Sequence, residues 1–279
     1  MVIFKANKLI LHLLIIAGSL LMLYPLIWMI SSSFKQPDRI FTDTGLLPEA
    51  ATLINYIQGW RGISDTSFSV FYSNSFLVSG LSILGNILSC SLTAYAFARL
   101  EFRFKKTLFA VMLVTMMLPH HVSMIPQYII YSKLDWINTY LPLIVPKFTA
   151  ADGFFIFLIV QFIRTLPNEL DKAATVDGCG PFQIYARIIL PLSLPALVTT
   201  AIFTFIWTWN DFFSQLLYLS ELKKYTISLG LRMFLDSSSE SRWGPMFAMS
   251  ALSLIPVFFI FIVFQRYLIE GIASGGLKG

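Results

Sequence analysis

The residues that offer chemistry in this chain are few, and they are polar groups set in apolar surroundings. Thr200, Thr204, Thr208 and Asp211 recur at steps of four, four and three, with Gln215 a further turn on, so the sequence puts them on one helical face. Asp211 is the sharpest of them. A carboxylate inside a membrane-spanning stretch costs about 2.5–3.5 kcal/mol to insert, so it has to face protein or water. Trp207, Trp209 and Asn210 stand beside it. Aromatic rings and an amide suit a sugar, which is apolar on its faces and hydroxylated at its edges. A second reading fits as well: Asp211 lies near an external interface and caps local structure, with the tryptophans as interface anchors. Thr200, Thr204, Thr208, Asn210 and Asp211 are the candidates for lining a polar pathway. Lys147 and Asp152, in another apolar stretch, either face an aqueous cavity or mark a bent entry to it.

Other chemistries are excluded by spacing. His120 and His121 are adjacent, do not share a helical face and have no third ligand nearby, so no metal site is expected. The ending GIASGGLKG has Gly271 and Gly276 at the spacing of a phosphate loop, but Leu277-Lys278 stands where Lys-Ser/Thr is required and no helix follows. Cys90 and Cys179 fall in distant segments and imply no disulfide framework. No catalytic residue and no cofactor is expected in the chain itself.

The elements that must position these groups follow from composition. Of 279 residues, 56% are apolar and 13% charged, against about 25% charged in soluble domains. Apolar runs of about 20 residues are the length of bilayer-crossing helices rather than of barrel strands. The expected fold is an all-α integral membrane protein, a single domain with six transmembrane helices at about 9–30, 70–97, 107–125, 141–163, 192–219 and 246–267. The first run exceeds the 7–15 residues of a signal core and no small-x-small cleavage site follows it, so it reads as a retained span. Residues 31–69, 126–140 and 220–245 read as external connections. In the second span Ser75, Ser79, Ser82, Gly85 or Asn86, and Ser89 form a small, polar stripe, which serves either a pore or subunit contact or plain helix packing. With the N-terminus, the 99–106 loop, the 164–191 loop and the C-terminus inside, the cytoplasmic segments hold 11 of the 20 Lys and Arg. That bias favours a multi-pass cell-membrane protein with both termini cytoplasmic. The net charge of +5 is then a topology signal and not a nucleic-acid footprint.

The longest soluble-looking stretch lies between the fourth and fifth spans. Asn168 is a good N-cap, and Glu169 and Asp171 occupy the first turn, where the helix dipole favours acids. Gly178 is a stop signal, Gly180-Pro181 a restart, and Phe182, Tyr185, Ile188 and Ile189 recur at helical spacing before Leu190-Pro191. The spacing predicts a cytoplasmic knob of two short helices with a glycine hinge.

This knob resembles the signature loop of the membrane subunits of ABC importers: EAA, three residues, Gly, nine residues, Ile, one residue, Leu-Pro. Ala173, Ala174, Gly178, Ile188, Leu190 and Pro191 match it in place, and Asp177-Gly178 looks like the carbohydrate-importer version. The departure is Lys172 at the usual glutamate, with acids at Glu169 and Asp171 instead. SSSFK followed by PDRIF, and TWNDF around Asp211, also resemble segments of carbohydrate permeases. The ending with Gly275, Gly276 and Lys278 resembles that of the smaller maltose-type permease subunit, which reaches the ATPase. The resemblance implies a permease that moves an oligosaccharide or similar solute inward by alternating access. It implies a second permease subunit in a heterodimer, two ATPase subunits that bind ATP and Mg, and an external solute-binding protein. The coupling residues it implies are Glu169, Asp171, Lys172, Ala173, Ala174, Asp177, Gly178, Ile188, Leu190 and Pro191. The alternative is an ion-coupled secondary transporter, whose candidate ionisable groups are Asp211 and Asp152.

Overall fold

The computed structural model describes residues 2–235 and 242–276, without the side chains of 2–7, 9, 120 and 267–276. Apart from one antiparallel bridge between Ile63 and Thr66, regular structure among these residues is helical. Four helices are long and apolar enough to cross a bilayer alone: Ile10–Ser32, Phe68–Arg99, Leu141–Thr165 and Trp243–Arg266. Two bent pairs bring the number to six if each is one span: Lys105–Met116 with His121–Lys133, turned by 104°, and Pro181–Leu192 with Leu194–Asn210, turned by 75°.

The bent pairs correct two expectations. The third span is not a straight helix over 107–125. It stops at Met116, and a second helix, His120–Lys133, starts after Pro119, whose ψ of 125° is extended. A residue preceding proline is pushed out of the α region, so Leu118-Pro119 is where this helix has to break. Twelve residues make about 18 Å of helix, well short of the roughly 30 Å hydrocarbon core. Residues 126–140 are correspondingly not all connection, since the helix runs through Pro126 to Lys133. The fifth span does not extend over 192–219 either: it ends at Asn210, and a separate short helix, Phe213–Tyr218, follows.

The chain divides into two compact units. The first comprises Met1–Ser69 with Gly230–Ile255. Its core includes Trp28 edge-on to Phe247 at 5.5 Å and Phe68 near Phe234 at 6.1 Å. After the first helix, Lys35 turns inward and is 1% exposed. Its ammonium donates to the carbonyls of Gly45, at 2.7 Å, and Asp43, and pairs with Asp43 Oδ1 at 3.7 Å. Asn55 Nδ2 clamps the same turn by donating to Ser33 O at 2.9 Å and Lys35 O at 2.7 Å. The Ser-Ser-Ser-Phe-Lys segment is thus a folding device for the polar stretch behind the first span. Lys35→Met keeps the apolar stem and removes the donors, leaving two carbonyls without them. A loss of about 2–3 kcal/mol is expected, read as a lower thermal midpoint of the purified protein and faster proteolysis within 36–52. Cleavage at the parental rate would mean that the clamp does not hold the loop.

The second unit comprises Val70–Leu229 with Pro256–Gly279. Its main core joins Cys90, Ala94 and Tyr95 of the second span to Phe155, Ile156, Ile159, Val160 and Ile163 of the fourth, and to Ala196 and Leu197 of the fifth. Ala174, Ile184, Tyr185 and Ile189 of the knob belong to the same cluster. The loop between the fourth and fifth spans is therefore packed into the helical core, and the two cannot move independently without opening it.

Candidate coupling loop and buried polar cluster

The first knob helix, Glu169–Val176, carries its two acids in the first turn. It ends where the spacing predicted. Gly178 has φ +82°, its amide donates to Thr175 O at 3.1 Å, and the Cys179 amide reaches back to Ala174 O at 2.9 Å. That pair of bonds is the Schellman stop, which needs a left-handed residue and so favours glycine. Gly180 then caps the second helix with extended backbone, Pro181 follows, and Gln183 Oε1 accepts the Gly180 amide at 2.9 Å. From Tyr185 to Ile189 this helix widens to π geometry, with the Leu190 amide donating to Tyr185 O. Pro191 has no amide to donate, so the regular ladder cannot continue through it. The 75° turn into the fifth span follows at Ser193. Leu190-Pro191 is the joint between knob and span.

The knob has two faces. Inward, Ala174, Ile184, Tyr185 and Ile189 are buried; Tyr185 OH hydrogen-bonds Ser91 Oγ at 2.8 Å, and its ring lies 5.4 Å from that of Tyr95. Outward stand Glu169, Lys172, Ala173 and Asp177, with Val176 88% and Phe182 69% exposed. Ile188 and Leu190 are half-buried between them. Asp171 faces in. Arg99, the last residue of the second span, lies 3.1 Å from Asp171 Oδ2 through Nε, a charge contact whose N–H is not aimed at the oxygen. Its other nitrogens donate to Leu166 O, at 2.8 Å, and to Asn168 Oδ1. Arg99 thus ties the entry of the knob to the end of the second span. The sequence placed Arg99 only at the start of the cytoplasmic 99–106 loop and did not show this role, because nothing local to residue 99 announces a partner 72 positions on.

A second assembly lies within the spans. Asn86, fully buried, donates through Nδ2 to Asp152 Oδ2 at 2.8 Å and to Thr204 Oγ1 at 3.0 Å. Lys147 Nζ meets the same Asp152 oxygen at 2.9 Å, and Ser89 Oγ donates to Lys147 O at 2.6 Å. The carboxylate sits at the break in the fourth span, after a 3₁₀ turn over Val145–Thr149 and a left-handed Ala150. Gly85 lets this turn come close: a β-carbon there would lie 2.7 Å from the Phe148 ring and 3.0 Å from the Lys147 carbonyl carbon. Second, fourth and fifth spans are thereby tied by one amide, one ion pair and two hydroxyls. The small, polar stripe pointed to the second span's contact face; its partners were not legible.

The pathway candidates separate. Thr200 and Thr204 are buried, Thr200 donating to Ala196 O at 2.9 Å. Thr208 is half-buried, and Asn210 is exposed, with its amide on Ile206 O at 2.8 Å. Asp211, extended and half-buried, accepts the Ser214 amide at 3.1 Å and so caps the next short helix. Gln215 does not continue the stripe on one helix. It sits beyond the break, buried, accepting from Thr226 Oγ1. Trp207 is exposed, whereas Trp209 is packed 5.0 Å from the Phe205 ring and 4.9 Å from that of Phe76. Gly275 and Gly276 end the last described helix, and Lys278 lies outside the described residues.

Comparisons with known proteins agree with this geometry. The chain is 34% identical over 275 residues to a trehalose/maltose transport system permease protein of Thermococcus litoralis, covering 96% of this chain and 97% of that one. It is 30% identical over 259 residues to an arabinooligosaccharides transport system permease protein of Halalkalibacterium halodurans, covering 92% of this chain and 91% of that one. Among solved structures, a chain of a bacterial ABC transporter involved in import of the acidic polysaccharide alginate superposes with a TM-score of 0.84 at 21% identity, over 94% of this chain and 96% of that one, which establishes the fold. Residues 85–274, containing the knob, the Asn86 cluster and the joint at Pro191, match the model of one family, and the chain belongs to it: the inner membrane components of binding-protein-dependent transport systems.

Proposed function

We propose that this chain is one of two unlike membrane subunits of an ATP-driven importer for an oligosaccharide or similar solute, working by alternating access. Its partners are a second permease, two ATPase subunits that bind ATP and Mg, and an external solute-binding protein. The observation that carries the proposal is the two-faced knob. Lys172, Ala173, Val176 and Phe182 offer an exposed, mixed surface to a partner, while Asp171, Ala174 and Tyr185 fasten the same knob to the second span. A displacement of the knob is delivered to the spans because the core between them is close-packed and does not absorb it. Glu169, Asp177 and the tail with Gly275, Gly276 and Lys278 complete the ATPase contact in this reading.

The Arg99 contact supports a common side for the 99–106 loop and the knob, as the basic-residue bias does, and hence cytoplasmic termini. On the pathway, Thr208 and Asn210 are the accessible members; Thr200 and Thr204 would line it only when the second and fifth spans part. The ion-coupled alternative is not carried forward. Asp152 is held by Lys147 and Asn86, and Asp211 accepts the Ser214 amide, so both carboxylates have structural partners within the chain.

The test is reconstitution in proteoliposomes. With second permease, ATPase and loaded binding protein, solute-stimulated ATP hydrolysis is expected to rise at least tenfold over the same mixture lacking this chain. Full stimulation from this chain and the ATPase without a second permease would replace the heterodimer by a homodimer. Transport driven by a proton or sodium gradient without ATP would overturn the proposal.

A further inference from the structure

A cleft of about 630 Å³ opens at the end of the second span that carries Arg99, and nothing in the coupling mechanism uses it. Phe97, Phe109, Ala110 and Leu113 supply apolar wall; Lys105, Lys106, Arg164 and Glu101 supply the charged groups. The aromatic part is built, not incidental: the Phe97 ring lies 5.7 Å from Phe102 and 5.4 Å from Phe109. The Arg164 guanidinium lies over the Phe109 ring at 5.4 Å.

The charges do not balance. Lys105 is engaged, donating to Leu100 O at 2.7 Å and to the sole lining carboxylate, Glu101, at 3.1 Å. Lys106 and Arg164 are exposed, and among the described residues neither has a carboxylate partner. Two cations thus stand over an apolar wall. That wall runs on into the surface of the Lys105–Met116 helix, where Leu108, Val111 and Val114 are each at least half exposed, as side chains meeting lipid chains are. A ligand that fits both ends carries a phosphate and a hydrocarbon tail.

We propose that this cleft is a binding site for one anionic phospholipid, its phosphate between Lys106 and Arg164 and an acyl chain against Phe97, Phe109 and Leu113. A basic pocket between spans at a membrane surface is suited to such a headgroup. A soluble phosphate satisfies only the charged end, and a zwitterionic lipid brings its own cation to the two already present. The site adjoins the Arg99 tie to Leu166, so a bound lipid stiffens the mount of the knob. The proposal goes beyond the importer reading, since it needs only a membrane-embedded chain.

Native mass spectrometry of the purified complex tests it, with dioleoyl phosphatidylglycerol titrated against dioleoyl phosphatidylcholine. The first bound phosphatidylglycerol is expected to be preferred over phosphatidylcholine at least tenfold, at about fivefold per basic residue. Lys106→Gln with Arg164→Gln removes that preference. Arg103→Gln, a neighbouring cation outside the cleft wall, leaves it and controls for general loss of charge. Leu113→Glu, which puts a like charge on the apolar wall, lowers it without touching the cations. Equal binding of the two lipids, retention of the preference in the double variant, or its loss in Arg103→Gln overturns the proposal. Displacement of the lipid by millimolar soluble glycerophosphate also overturns it, because the site then recognises phosphate alone.

Discussion

Arginine in place of Gly178 is expected to reduce solute transport at least tenfold while the chain still inserts and accumulates. The glycine holds φ +82°, and a β-carbon added there meets nothing within 4 Å. The substitution therefore causes no internal clash. It carries two separable costs. A residue with a β-carbon in the left-handed region loses roughly 1–2 kcal/mol, which loosens the stop that turns the chain from Val176 to Pro181. A long cation also stands out from the exposed side of the knob, where the proposed partner comes close. Gly178→Ala carries the first cost alone, so it should transport at an intermediate rate. Gly178→Arg should in addition lose co-purification of the ATPase. The measurement is uptake by vesicles together with the amount of ATPase retained on the purified permease. Normal uptake by Gly178→Arg with its ATPase bound would remove the knob from the mechanism.

What could be read from the sequence here was local, and what could not was long-range. The knob was legible because each of its steps is set within a few residues: acids in a first turn, a left-handed glycine, a proline that restarts a helix. The apolar runs were legible as spans because burial in lipid is a property of composition. Their bends were less so. Pro119 reads as a break only if Met117 and Leu118 are not carried past it, and an apolar window averages over such a corner. Asp211 raised two readings; in the structure its carboxylate accepts the Ser214 amide, a contact within its own segment. The Asn86 cluster was half visible. Lys147, Asp152 and the Ser75–Ser89 stripe each stood out, but a shared oxygen between residues 66 positions apart depends on how three helices pack. Lys172, at odds with the resemblance, is exposed, and Asp171 beside it makes an inward contact with Arg99. The displaced acid therefore holds the knob, and the outer surface offers a cation where the motif it resembles has a glutamate. In the proposed importer, the facing position on the ATPase is expected to be acidic or neutral.

Asp152→Leu is expected to have the second largest effect, and on stability before transport. Asp152 Oδ2 takes both the Lys147 ammonium and the Asn86 amide. With leucine there, Lys147 keeps a charge with no counter-ion at a site where its side chain is 28% exposed, and buried Asn86 loses one acceptor. Breaking a buried pair from one side costs about 3–5 kcal/mol. Partial access to water lowers that here, to about 2–3 kcal/mol after screening. Lys147→Met alone leaves the carboxylate with the Asn86 amide and should cost less. The informative variant is the double, Lys147→Met with Asp152→Leu. It removes both charges at once, so it should recover at least half of the loss of Asp152→Leu, since the penalty lies in the orphaned ion rather than in the missing attraction. The thermal midpoint of the purified complex in one detergent gives all three values. If the two single losses simply add in the double variant, Lys147 and Asp152 are not coupled, and the break in the fourth span is held by its turn geometry and the close approach at Gly85 instead. If they couple but the double variant still fails to transport, the pair serves the motion between states as well as the fold.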